Sequence, residues 1–428
     1  MLLRFSFSNF RSFREEQELS LIAGPFKDRL DGVFNVAGLN EGVLPVAAIY
    51  GANASGKTNV LRALQVLDSA VRNSHRLWQP EQPIPRDPFA GGAGADLPSR
   101  FVVDFLRDDI RHQYGFVVDS KTVLEEWLHV YPKGKRQVWF SRKLGRPLSF
   151  GDKLTGENKT IAQLTRNNSL FLSAAAQNNH EMLLPVYNWF SRSLFFVIGD
   201  RDVLQLRTAS MCNDNETRAL IARLLSRADL GITDLRVTEE RLPDEFKEGV
   251  MQMVRLLFEA KGEPPSIDGS LPVMQLIHKM GDNAFPFDVV QESAGTVAYL
   301  ALLGPIVNAL RAGGLICIDE LDASLHPLVA IEILRLFSSP NSNPRAAQLL
   351  FNTHDTNLLG SGTLRRDQIW FTEKDRNGES HLYPLTDFKP RRQENLENGY
   401  LQGRYGAIPF IHSDELMTSL VEGDGEET

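Results

Sequence analysis

Gly51-Ala-Asn-Ala-Ser-Gly-Lys-Thr58 is the stretch that decides the fold. It satisfies G-x-x-x-x-G-K-[ST] at every fixed position. The largely apolar run Val43 to Tyr50 precedes it, and a helical pattern of Val60, Leu61, Leu64, Val66 and Leu67 follows. Strand, glycine loop and helix in that order predict a phosphate-binding turn. Glycines let backbone N–H groups close around phosphate oxygens, and the helix adds its positive end. Gly51, Asn53, Ala54, Ser55, Gly56, Lys57, Thr58 and Asn59 are therefore candidate binding residues. Lys57 is placed to reach the β/γ-phosphates and Thr58 to hold Mg²⁺.

Downstream, Leu315-Ile-Cys-Ile-Asp-Glu320 reads as a buried strand that delivers two acids at its C-terminal end, where α/β sheets present ligands. Asp319 is the candidate for the Mg²⁺ shell opposite Thr58, and Glu320 for the base that accepts a proton from water. Glu292-Ser-Ala-Gly-Thr296 offers a hydroxyl, an N–H and a helix dipole to a phosphate, although a plain N-cap has the same appearance. Leu321-Asp-Ala-Ser-Leu-His-Pro327 follows the acids directly. His354 ends the apolar strand Gln348 to His354 and is a candidate γ-phosphate sensor; a structural histidine is the alternative.

Around these motifs, residues 2–22 read as two strands and 24–42 as loop, and the helix after the glycine loop runs to about Asn73. Period-two segments between 100 and 150 predict a flanking antiparallel sheet. Helical periodicity covers 215–260, with Leu220, Ile221, Leu224 and Leu225 on one face and Val250, Val254, Leu256 and Leu257 on another; Leu230 to Leu235 reads as a short break or strand. No sustained heptad supports a long coiled-coil arm. Helix and buried strand then alternate twice between Gly295 and His354, which argues for a parallel sheet covered on both faces. The expected class is α/β. The expected division is an N-terminal lobe at 1–205, a short helical insertion at 206–284 and a C-terminal lobe at 285–428, with an acidic tail from Glu422 to Thr428.

The net charge of -8 excludes a chain that is basic throughout, and hydrophobic content of 42% supports a packed core. Two cysteines, Cys212 and Cys317, exclude a disulfide framework and a cysteine-rich zinc site. The N-terminus alternates apolar and polar residues, unlike a signal peptide, and no run of about 20 apolar residues predicts a membrane span. A cytoplasmic protein without membrane contact is expected.

Taken in order, the glycine loop, Ser-x-Gly-Thr, Asp-Glu strand, Leu-Asp-x-x-Leu-His-Pro and Thr-His-Asp resemble an ABC-type ATPase of the SMC/RecF branch, over roughly residues 1–72 and 285–360. The resemblance implies ATP and Mg²⁺ as cofactors and a shared site. Ser293 and Gly295 of a second chain would close over the γ-phosphate, Asp322 would contact the opposite subunit, and the chain would at least dimerise with itself. Gln177 is the candidate for the family's Mg²⁺- and water-contacting glutamine. Asn9 and Arg11 stand where the family's early strand-turn approaches the nucleotide; a surface turn is the alternative. The signature departs from Leu-Ser-Gly-Gly-Gln at Glu292, Ala294 and Thr296. The segments Arg366 to Lys374, Tyr383 to Lys389 and Tyr400 to Pro409 are similar to stand-alone ATPases of bacterial phage-defence operons, namely RloA-like and AbiL-type proteins and the ATPase of the PARIS system. Such proteins act beside a separate effector, often a nuclease.

Two functions follow, and a third, a scaffold that holds ATP without turning it over, is disfavoured by Glu320, since such a scaffold has no need of a general base. The first is an ATPase that senses or regulates a separate effector in antiphage defence. The second is a RecF-like repair ATPase that binds DNA in an ATP-dependent way, which leaves DNA open as a partner. Asp200-Arg-Asp202 reads as a charged strand end rather than a second active site. Arg107 to His112 matches a ribonuclease spacing but lies in strand-like sequence. Arg404 reads as part of a surface loop.

Overall fold

A computed structural model describes residues 1–26, 32–36, 38–92, 94–199, 201–228, 231–241, 248–249 and 270–409. Val250, Val254, Leu256, Leu257 and the tail Glu422 to Thr428 lie outside them.

The first strands are β1 (Leu2–Ser8), β2 (Gln17–Ser20) and β3 (Val46–Gly51), and the glycine loop leads into α1 (Lys57–Asn73). Strands β4 (Ser99–Arg107), β5 (Ile110–Val118), β6 (Val123–Tyr131), β7 (Gln137–Lys143) and β8 (Ser149–Phe150) follow. They join β1 and β2 in a seven-stranded sheet of order β2-β1-β4-β5-β6-β7-β8, antiparallel at every pairing. Arg107 to His112 is simply the tight β4–β5 hairpin. His112 is buried against Phe105, and desolvation pushes its pKa down to about 4, so it is a packed neutral ring.

Next come α2 (Asn158–Leu164), α3 (Phe171–Gln177), α4 (Leu184–Ser193), β9 (Leu194–Val197), α5 (Arg201–Met211) and α6 (Asn215–Arg227). The chain continues through β10 (Ile232–Arg241), β11 (Ser270–Met280) and β12 (Asn283–Asp288), a three-stranded antiparallel sheet. The span 206–284 thus holds sheet as well as helix. Of the two readings of Leu230–Leu235, a short break or a strand, the structure shows strand from Ile232, and β10 runs on to Arg241 because β11 supplies a full-length partner. Asp200 lies outside the described residues, and Arg201 and Asp202 begin α5.

The remaining elements are α7 (Ala294–Ala312), β13 (Leu315–Ile318), α8 (Pro327–Ser338), β14 (Gln348–Asn352), α9 (Asn357–Gly360), β15 (Ile369–Lys374), β16 (Ser380–Pro384) and α10 (Leu396–Leu401). The central sheet has the order β16-β15-β3-β14-β13-β9, parallel except for the edge pair β15–β16. Its inner strands read as unbroken apolar runs because both faces are covered. On β3, Ala47 and Ile49 enter one core with α1 and the seven-stranded sheet, while Val46, Ala48 and Tyr50 enter a second core with α7 and α8. Val60, Leu61, Leu64, Leu67 and Val71 give α1 its buried face at helical spacing.

By length and composition α7 is apolar enough to cross a membrane, against the sequence expectation; 67% of that window is buried in the fold, as a core helix requires. Gln348 fastens the two sheets together: its amide accepts from Leu2 N–H at 2.6 Å and donates to the Leu2 carbonyl at 2.9 Å.

Candidate functional site

Parallel strands deliver their C-terminal ends to one edge, so the loops after β3, β13, β14 and β15 meet there. Gly56 has φ 114°, and a Cβ on it would come within 2.8 Å of Ser380 Oγ and 3.1 Å of the Phe13 ring, so only glycine fits. Ser55 Oγ lies 2.6 Å from Thr372 Oγ1, tying the loop to β15. Lys57 is buried, and its Nζ donates to the carbonyls of Gly51 (2.8 Å) and Ala52 (2.9 Å). Desolvation pushes its pKa down to about 8 against the raising effect of Glu320, Asp322 and Asp319.

Thr58 Oγ1 donates to Asp319 Oδ1 at 2.8 Å, although 261 residues separate them. Asn352, fully buried at the end of β14, organises this corner. Its Nδ2 donates to Asp319 Oδ1 at 2.5 Å, and its Oδ1 accepts the Glu320 N–H at 2.5 Å. Its main-chain carbonyl accepts the Leu321 N–H at 3.1 Å. Glu320 is exposed and left-handed, φ 52°, a conformation that costs a non-glycine residue about 1 kcal/mol or more. The clamp from Asn352 holds it there.

His354 is exposed just past β14. Its N–H points at Asp322, 3.3 and 3.4 Å from the two carboxylate oxygens. Partial desolvation, then Lys57, lowers its pKa and favours the neutral ring. An open cleft of about 520 Å³ runs from Asn53 through Asn59 to Glu320, Asn352, His354 and Lys374.

Ser293 and Gly295 do not line this cleft. Ser293 is exposed and caps α7, accepting the Thr296 N–H at 3.1 Å. Gly295 lies against the loop after β13, where a Cβ would come within 2.9 Å of the Ser324 carbonyl.

Gln177 does not reach the cleft either. It ends α3 beside Tyr187, whose hydroxyl donates to the Arg72 carbonyl at 3.2 Å. Arg72 is at the far end of α1, about 20 Å from Thr58 at ~1.5 Å per residue. Asn9 is a buried clamp: its Nδ2 donates to the carbonyls of Gly94 (2.8 Å) and Leu97 (2.6 Å), and Arg11 pairs with Asp87 at 2.9 Å. The neighbouring Ser12 approaches the loop instead, accepting from Asn59 Nδ2 at 2.9 Å. Arg404 pairs with Glu394 at 2.6 Å on the surface, while the adjacent Tyr405 stacks on Phe371.

Sequence reasoning missed Asn352, Lys374 and Ser12. Asn352 carried a signal: it is polar in an otherwise apolar strand, just before the site histidine. Lys374 carried none, since β15 brings it back from far along the chain.

Residues 46–360 match the family described as "AAA domain, putative AbiEii toxin, Type IV TA system". The chain belongs to this family. Membership assigns an AAA-type nucleotide-binding ATPase domain to a span that contains the glycine loop, Asp319, Glu320 and His354. Among solved structures, the SmcHead bound to the C-winged helix domain of ScpA matches with 12% identity and a TM-score of 0.39, over 89% of this chain and 96% of that one. A likeness that loose decides nothing about function. No curated protein matches the sequence.

Proposed function

We propose that the chain binds ATP with Mg²⁺ in this cleft, hydrolyses it, and uses the cycle to assemble with a second copy and control a separate effector in antiphage defence. The 2.8 Å contact between Thr58 and Asp319, held by Asn352, carries the reading: two hard oxygen donors from distant parts of the chain meet beside a buried lysine. Such donors suit Mg²⁺, and the loop whose glycine admits no Cβ suits a phosphate chain. Bound Mg²⁺ would supply charge neutralisation on the phosphate oxygens. The chain's own groups do the rest. Lys57 lies ready to leave two carbonyls for the phosphates. Glu320, exposed at the rim, is oriented to take a proton from water, with His354 beside it.

Ser293 and Gly295 stand outside their own chain's cleft, which is where residues that complete a partner's site belong. The family description names a toxin of a type IV toxin–antitoxin system, which favours a defence role over DNA repair. The test is phage challenge of cells carrying the chain with its neighbouring genes. Protection should be lost with Lys57→Ala and with Glu320→Gln. Undiminished protection by both variants would refute the ATP-driven role, and tight, ATP-dependent DNA binding that persists across salt concentrations would favour repair instead.

A further inference from the structure

A second cavity of about 360 Å³ lies between the C-terminal half of α1, the edge strand β9 and α5. It shares no lining residue with the nucleotide cleft. Asp68 faces it from α1, about 16 Å along the helix from Lys57 at ~1.5 Å per residue. Asp68 is 3% exposed, and its Oδ1 has no hydrogen-bond partner among the described residues. Its other oxygen accepts from Arg72 Nη1 at 3.4 Å. Burial pushes the carboxyl up to about 7. Across the cavity stands Arg207 on α5, half-buried, with no ion-pair partner among the described residues; burial lowers its pKa. Ser69 and Asn73 add neutral polar groups to the lining.

Two guanidinium groups against one carboxylate leave the cavity net positive. An orphaned, buried carboxylate oxygen is costly unless a donor reaches it. The occupant that satisfies both is an oxyanion that keeps a hydroxyl. We propose that this cavity is a binding site for hydrogenphosphate, with Arg72 and Arg207 holding the charge and Asp68 Oδ1 accepting the P–OH. Sulfate has the same shape but no hydroxyl, and at a pH well above 7 it would face the ionised Asp68 without a donor.

Equilibrium dialysis at pH 8.5, with labelled phosphate or labelled sulfate as the probe, tests this. At that pH Asp68 is ionised and phosphate still carries one hydroxyl. Phosphate should bind at about one per chain and at least about tenfold more tightly than sulfate. Binding should persist in Lys57→Ala, which separates it from the glycine loop. It should weaken at least about tenfold in Arg207→Ala, and Asp68→Asn should collapse the preference over sulfate. Circular dichroism checks folding of each variant, and Arg207→Gln replaces Arg207→Ala if the latter does not fold. Equal binding of the two anions, binding unchanged by loss of Arg207, or no binding below millimolar concentrations would overturn the proposal and leave a water-filled cavity. Failure here leaves the ATPase assignment untouched, since that rests on the separate cleft at the N-terminal end of α1.

Discussion

Asn352→Leu should cripple the site while leaving the fold standing. Leucine repeats the branching of asparagine with the same number of heavy atoms, though it is bulkier, so the end of β14 stays filled while the amide is lost; the parallel unfolding measurement reports any cost of the added bulk. Two bonds of 2.5 Å go with it, one to Asp319 Oδ1 and one from the Glu320 N–H. The first is charge-assisted and worth about 1.5–3 kcal/mol; the second removes the partner of a part-buried N–H at about 1–3 kcal/mol. Some of that is recovered as water reaches the exposed Glu320, so a net loss of about 3 kcal/mol is expected at the site. At about 1.4 kcal/mol per tenfold change, kcat/KM for ATP should fall roughly 100-fold. The Mg²⁺ concentration for half-maximal turnover should rise, because Asp319 is no longer held against Thr58. The assay is phosphate release across a Mg²⁺ titration, with thermal unfolding measured in parallel. Wild-type turnover in a folded Asn352→Leu protein would refute the idea that this side chain positions the two acids.

Glu320→Gln should cut ATP turnover by about 10²–10⁴-fold while ATP still binds, and light scattering should show an ATP-dependent assembly that no longer falls apart; wild-type turnover would remove Glu320 as the base. Lys57 must be protonated to meet phosphate, and its pKa in the free protein is pushed down to about 8. ATP affinity should therefore be constant below pH 8 and fall by up to about tenfold per unit above it, and a flat calorimetric profile to pH 9.5 would contradict this. The same depressed lysine has the opposite sign for folding: the unfolded chain holds the proton longer, so this group adds stability as pH rises from 8 towards 10.5. Ser293→Asp keeps an equally good N-cap but sets a negative charge where a partner's γ-phosphate would lie. Ser293→Asp and Lys57→Ala should each be inactive alone and regain activity when mixed, since one composite site per pair is then intact; a mixture that stays inactive would speak against sharing.

The parallel core was legible because buried strands and amphipathic helices alternate with unambiguous periods, and because the glycine loop and the Asp319-Glu320 pair each follow the end of a buried strand. Asp319 and Glu320 could be placed from sequence since a four-residue apolar strand leaves its next residues nowhere to go but the sheet edge. Gln177 could not. Its placement depends on how α3 packs against α1 and Tyr187, a tertiary matter to which local sequence is blind. The sheet β10-β11-β12 escaped for a related reason: Asn283 to Asp288 is mostly exposed and lacks a period, so its strand character comes only from pairing with β11. Asn9 and Arg11 were matched by motif position, yet they serve the loop around Phe89 and Asp87, and the approach to Gly56 falls to the next residues.

Strand β3, which aims the glycine loop, is bracketed by β14 and β15. Both neighbours are made hundreds of residues later, and Ser55 is pinned by Thr372. A chain still on the ribosome therefore carries the loop early but has no frame to hold it. Domains fold as units during synthesis once their parts have emerged, and here the last required part is the β15–β16 hairpin. Nascent or prematurely terminated chains should thus be unable to engage nucleotide, and so unable to fire before synthesis has passed Pro384. On the proposed control of a separate effector, such late maturation would keep unfinished chains from acting, a safeguard written into strand order.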